Sequence, residues 1–170
     1  MYLTVLERCL RAIETKLRTI TKQNGYSYDV QNVLRISDVP PVVGNHEIRI
    51  MASQIRGDEK MSRGTHNVLY VHTPMTLWFG APEIERTDQA FSQFSSDIQR
   101  AIGPYTAVIE PTYGGNCQRE VKIDFVNSQK IPTRDSGQMF GMSNYDVRYQ
   151  YIRGDPRLWD DVDELVEDQS

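Results

Sequence analysis

The side chains that most often bind metals are few and scattered in this chain. The three histidines, His46, His66 and His72, have no partner at the spacing of a metal site. We therefore interpret them as polar residues on solvent-exposed faces, with His46 and His72 on predicted strands. The two cysteines, Cys9 and Cys117, fall on a predicted helix and in a predicted turn. A single disulfide is open to them, but two free thiols in a reducing compartment are favoured.

Three short motifs invite a catalytic or binding interpretation, and each has a simpler one. Gly141–Tyr145 begins like the nucleophile elbow of a hydrolase, but it lacks the second glycine and precedes a strand. Gly114-Gly115 precedes a strand rather than a helix, which favours a hairpin turn over phosphate binding. Glu83 and Glu85 precede a predicted helix, where they favour its N-terminal dipole over acid–base catalysis. The sequence therefore predicts no catalytic residue, no cofactor and no metal.

Two polar stretches, 52–66 and 127–138, are predicted to be long loops. Their cations could form a basic edge, and two interpretations stay open: solvated loops, or a surface that docks a protein partner. Arg-Gly-Asp occurs at Arg56–Asp58 and again at Arg153–Asp155, and we interpret both as turns rather than adhesion motifs. The candidate docking residues are Arg56, Lys60, Arg63, Lys130 and Arg134.

Hydrophobic spacing predicts two helices that would support these loops. Between Leu3 and Ile20, leucines and isoleucines recur at steps of three and four, which predicts an amphipathic helix over 2–21. Packing of this helix on a sheet is favoured over a coiled coil. A second helix is predicted between Thr87, its N-cap, and Gly103. Its apolar residues are Phe91, Phe94, Ile98, Ala101 and Ile102.

Alternation with period two predicts the strands. The stretch 67–79 is apolar on both faces, as expected of an interior strand, and Pro74 predicts a bulge or an edge position there. The last strand, 145–152, alternates most clearly. Further strands are predicted over 26–36, 46–51, 106–110 and 121–125. This order predicts an α+β domain with a mixed or antiparallel sheet of four to six strands and two helices packed on one face.

Length and charge set the remaining limits. The 170 residues suit one domain, and no apolar run is long enough to predict a membrane span. The net charge of -4 is uneven, because residues 160–170 contain six acids and the rest of the chain carries +2. We expect one domain over 1–159 and a flexible acidic tail over 160–170. Such a neutral body is not an obvious nucleic-acid binder.

The layout resembles that of the tail terminator (tail completion) proteins of long-tailed bacteriophages. In that family an amphipathic helix ends near Gly-Tyr, here Gly25-Tyr26, and a proline-bearing turn follows, here Val39–Pro41. A long central strand then leads to a helix, here 68–79 and 91–102. The closing strand runs into Gly-Asp-Pro, here Gly154–Pro156. The resemblance covers residues 1–159, and this chain departs from the family at Pro74 and in its acidic tail.

The resemblance implies a structural protein and not an enzyme. It implies a homohexameric ring at the head-proximal end of the tail tube, which stops tube polymerisation and joins the tail to the neck. The implied partners are further copies of the chain, the tail tube protein, neck or head–tail connector proteins and, in a contractile tail, the sheath protein. DNA would pass the lumen without specific binding, and the protein would occur in the virion and, during assembly, in the host cytoplasm.

Two other functions stay open at this point. Another phage neck, connector or baseplate component would share the polar loops and the assembly chemistry. A small enzyme whose site is assembled from dispersed residues would instead need a pocket with titratable groups.

Overall fold

In a computed structural model, the chain folds into a curled, mixed sheet with two long helices, which confirms the predicted α+β class. The structure describes residues 3–40, 42–62, 67–80, 88–112, 115–132 and 139–159. The following predicted features lie outside these ranges: the tail 160–170, Arg63, His66, Glu83, Glu85, the N-cap Thr87, Gly114 and Arg134.

The sheet has the strand order β1-β2-β4-β7-β6-β5, with a short β3 also paired to β4. All pairs are antiparallel except β1 with β2. Counting β3, the described sheet has one strand more than the largest number predicted. The helices are α1 Val5–Arg18, α2 Glu59–Ser62 and α3 Asp88–Ile102, and the strands are β1 Asn32–Arg35, β2 Glu47–Ala52, β3 Arg56–Gly57, β4 Val68–Gly80, β5 Tyr105–Thr112, β6 Gly115–Pro132 and β7 Met139–Ile152.

Helices α1 and α3 contact each other and pack on the same face of the sheet, as predicted. We call this the inner face and the opposite one the outer face. Phe94 of α3 is fully buried and its ring meets the ring of Phe79 edge-on, at 5.1 Å between centroids. Gly141 of β7 gives Phe79 its space, because a Cβ there would lie 2.3 Å from the Phe79 ring and 2.6 Å from the Phe91 ring.

The first helix is held at its start by the segment that follows β7. Thr4 caps α1 by accepting a hydrogen bond from the Glu7 amide at 3.2 Å. The Val5 amide donates to the Pro156 carbonyl at 2.9 Å, and Arg8 donates to the Arg157 carbonyl at 2.6 Å. The two ends of the described chain are therefore joined.

Pro74 lies in an interior strand without a bulge, so both alternatives predicted for it are wrong. It pairs in unbroken register with Asp146 of β7. On its other side the Ser53 amide donates to the Pro74 carbonyl at 2.8 Å. Because N and C=O of one strand residue point the same way, the missing N–H faces the gap between the end of β2 and the start of β3. The Ser53 carbonyl therefore receives no return hydrogen bond from Pro74, and it belongs to an exposed residue that solvent can reach.

The predicted loops and two strand bounds also need correction. The stretch 127–138 is not a loop throughout, because β6 continues to Pro132 and pairs with β7 after a bulge between Phe125 and Asn127. The stretch 52–66 contains β3 and α2. The strand predicted over 26–36 is confined to Asn32–Arg35. For β6 and β3, pairing with a distant strand overrides the local polarity of the sequence.

Candidate functional site

The described docking candidates lie on ordered elements rather than in one loop region. Arg56 is exposed on β3, directly opposite His72. Lys60 is exposed on α2. Lys130 lies on β6 and forms an ion pair with Asp88 at the start of α3.

These candidates do not form one basic edge. Lys130 is opposite Gly141, which in turn is opposite Phe79 of β4, whereas Arg56 is opposite His72. Seven residues separate the two positions along β4, or about 23 Å at the rise of a strand. The surface that does collect polar side chains is the outer face.

Strand register places cations in one row across the outer face and carboxylates in the next. The His72 ring Nδ1 lies 2.8 Å from Asp146 Oδ1. Arg148 Nε lies 3.0 Å from Asp124 Oδ2, and Lys122 Nζ lies 3.4 Å from Asp124 Oδ1. The two carboxylates offset part of the charge of the three permanent cations, Arg56, Arg148 and Lys122, which weakens the attraction of this surface for phosphate. These charged rows comprise Arg56, His72, Arg148 and Lys122, then Asp146 and Asp124.

The outer face becomes less polar along β4 from His72 toward Gly80. In the next row Thr76 donates to Asn144 at 2.8 Å, and Asn144 donates to Asn127 at 2.7 Å. Beyond it the rings of Trp78 and Phe140 lie 5.9 Å apart between centroids. An outer patch surrounds them, formed by Val43, Trp78, Phe140, Ile36, Ile131 and Met142. Val43, Trp78 and Phe140 are at most 6% exposed, so only the half-buried Ile36, Ile131 and Met142 present part of this patch at the surface.

A cleft of about 460 Å³ opens where β6 and β7 diverge. Two of its cations, Lys122 and Arg148, already contact Asp124. Burial raises the pKa of Tyr149 to about 12, against a smaller opposite effect of its hydrogen bond with Thr73. A phenol with so high a pKa is a poor general base at neutral pH. The cleft is lined by Asp58, Tyr70, Val71, Glu120, Lys122, Arg148, Tyr149, Gln150 and Trp159.

The histidines and cysteines have structural surroundings where the structure describes them. His46 precedes β2 rather than lying on a strand, and its Nδ1 lies 2.8 Å from the Asp29 carbonyl oxygen. Cys9 is a buried free thiol, and the Cys117 side chain lies outside what is described. Within the described ranges, no cluster of His, Cys, Asp and Glu could hold a metal ion. No described helix is long and apolar enough to cross a membrane.

Sequence reasoning predicted a strand over 106–110 but not that apolar side chains on it would be exposed. On β5, Thr106 and Val108 are buried, while Tyr105 is 52% and Ile109 69% exposed. The sequence did contain a signal for this exposure. Tyr105–Ile109 has no charged residue on either side of the strand, although only a brief strand was predicted there.

Similarity to known proteins assigns no function to this chain. No family model matches it, and no curated protein matches it either. The surfaces available for inference are the charged rows, the outer patch, the cleft and the exposed strand β5.

Proposed function

We propose that this chain is a structural subunit of a phage tail terminator, which forms a ring on the tail tube, stops its polymerisation and joins the tail to the neck. The observation that carries the proposal is the core layout. The closing strand β7 pairs with the central strand β4 from Val68 to Gly80, and α3 is the next described element after β4. The order of a long central strand, a helix and a closing strand is part of the layout on which the resemblance to the tail terminator family depends.

The outer face supports an assembly role. Ion pairs within the subunit offset part of the charge of its charged rows, and the half-buried Ile36, Ile131 and Met142 leave some apolar surface beside them. Such a surface can contact protein without attracting DNA strongly, as a subunit around a DNA channel requires. The proposed partners are further copies in a hexamer, the tail tube protein, neck or connector proteins and, in a contractile tail, the sheath protein. The proposed location is the virion, and the host cytoplasm during assembly.

Control of tube length tests the proposal directly. Purified protein is added to polymerising tail tube protein, and tube lengths are measured by negative-stain electron microscopy. We expect growth to stop and a ring to occupy one tube end. Heat-unfolded protein at the same concentration is the control. Tubes that grow unchecked in the presence of folded protein would contradict the proposal.

Another neck or connector component is the second candidate, because the same outer face would serve it. The two functions differ in position on the particle. An antibody against the chain, viewed on separated heads and headless tails, would label the head-proximal end of the tail for a terminator. Label confined to the head vertex or the baseplate would favour the second candidate.

A further inference from the structure

The backbone of β5 offers hydrogen-bonding groups on the side away from β6. The Ile123 amide donates to the Pro104 carbonyl at 2.8 Å, which sets the phase of the β5–β6 ladder. Hydrogen bonding alternates along an antiparallel strand. The backbone N–H and C=O groups of Thr106 and Val108 therefore point toward β6, whereas those of Tyr105, Ala107 and Ile109 point away from it. Within the described chain, no strand pairs with this outward side.

The first five residues of this strand lack the features that usually protect a sheet edge, whereas Glu110 and Pro111 follow in its second half. Natural edges are blunted by charges, prolines, bulges or short length. Tyr105–Ile109 has neither charge nor proline, and its pairing with β6 is unbroken. With Tyr105 and Ile109 more than half exposed on the outer face, this edge is suited to pairing with another chain.

The opposite edge of the sheet is closed. Strand β1 has only four residues, and Arg18 of α1 donates to the Val33 carbonyl at 2.9 Å. Arg35 of β1 also forms ion pairs with Glu7 at 2.5 Å and Glu14 at 3.4 Å on α1. If β5 cannot pair with β1 of another copy, the simplest contact is β5 with β5, which closes around a two-fold axis.

We infer that two copies of this chain pair through β5, antiparallel, with Ala107 on the two-fold axis. In this register Tyr105 lies opposite Ile109 of the second copy, an aromatic and β-branched pair that stabilises sheets. The small Ala107 side chains meet at the axis, and no like charges oppose each other. The occupant is therefore a second copy, because the strand complements itself.

The pairing concerns the isolated chain and does not depend on the proposed ring. So short a strand buries less area than a standard interface. We therefore expect a reversible dimer whose fraction rises with concentration.

Cysteine cross-linking tests the register. In an antiparallel hydrogen-bonded pair the two Cα atoms at the axis lie about 5.5 Å apart, within disulfide reach. In a Cys117→Ser background, we expect Ala107→Cys to form a covalent dimer on mild oxidation. Leu34→Cys, on the closed edge and 47% exposed, is the matched control and should stay monomeric. Equal cross-linking of both variants, or none, would overturn the inference.

Sedimentation velocity tests the interface without a cross-link. Ile109→Lys puts a charged side chain opposite Tyr105 in place of the β-branched residue, and Ala107→Pro removes an outward N–H while leaving the β5–β6 ladder intact. Each should weaken dimerisation about tenfold or more, while Val39→Lys, at a 63% exposed position away from β5, should not. Circular dichroism checks that the variants fold.

The outcomes separate this inference from the proposed function. A wild-type protein that is monomeric at every concentration, or variants that dimerise like wild type, would overturn the β5 contact alone. A dimer that responds as expected but does not control tube length would overturn the tail terminator alone.

Discussion

The inner and outer faces of the sheet come from the same strands but hold the molecule together differently. On the inner face, Leu77 and Val147 are fully buried beneath α1 and α3. On the outer face, neighbouring side chains are ordered by strand register into charged, amide and apolar rows. We therefore expect the inner face to determine stability and the outer face to determine what the protein contacts.

Removing a ring from the inner face should have the largest effect. Phe94→Ala removes a fully buried ring that contacts Phe79 and Tyr28, and should lower the free energy of unfolding by about 3–5 kcal/mol. Leu34→Ala on the outer face, 47% exposed, should change it by no more than about 0.5 kcal/mol. Urea unfolding measures both, and similar losses would break the distinction between the faces.

Overfilling the inner face should cost less than emptying it. Gly141→Ala places a methyl group 2.3 Å from the Phe79 ring, so we expect a loss of about 1–3 kcal/mol as the aromatic pair shifts. In Gly57→Ala the new methyl meets no atom within 4 Å, and stability should not fall. Thermal unfolding compares them; an unaffected Gly141→Ala would mean that the inner face repacks freely.

Alkaline pH should weaken the inner face through Tyr149. Burial raises its pKa from 10.0 to about 12, so above pH 10 the unfolded chain loses the phenolic proton first. Stability is therefore full below pH 10 and falls as the pH rises to 12. Tyr149→Phe should cost about 1 kcal/mol at neutral pH, since Thr73 loses a hydrogen-bond partner.

The same variant should also flatten the alkaline fall in stability. Denaturant unfolding at several pH values measures the slope. A slope as steep as that of the wild type would assign the fall to another group, such as Tyr145, whose pKa burial also raises.

The charged rows should give the smallest effect. Asp146→Asn removes the carboxylate beside His72, at a position where the side chains are 19% and 30% exposed. We expect a loss of about 0–1 kcal/mol that shrinks further in about 1 M salt. A loss above about 2 kcal/mol would show that the outer face contributes to folding as the inner face does.

The sequence predicted the two long helices and the alternation along 121–125 and 145–152, because these features depend on local periodicity. The spacing of Phe91, Phe94 and Ile98 was sufficient to place α3. The sequence alone could not predict that β6 extends through Asn127–Pro132, because that segment becomes a strand only by pairing with β7. The charged rows were invisible for the same reason: Arg56, His72 and Arg148 become neighbours through register alone.

The joining of α1 to the segment after β7 has a consequence for how the molecule opens. The first turn of the helix depends on carbonyls of Pro156 and Arg157, while Trp159 is buried in the same core. A protease that cut just after Gly154 would remove those acceptors and let the helix fray. Amide exchange in Val5 and its neighbours would then accelerate before any strand separated.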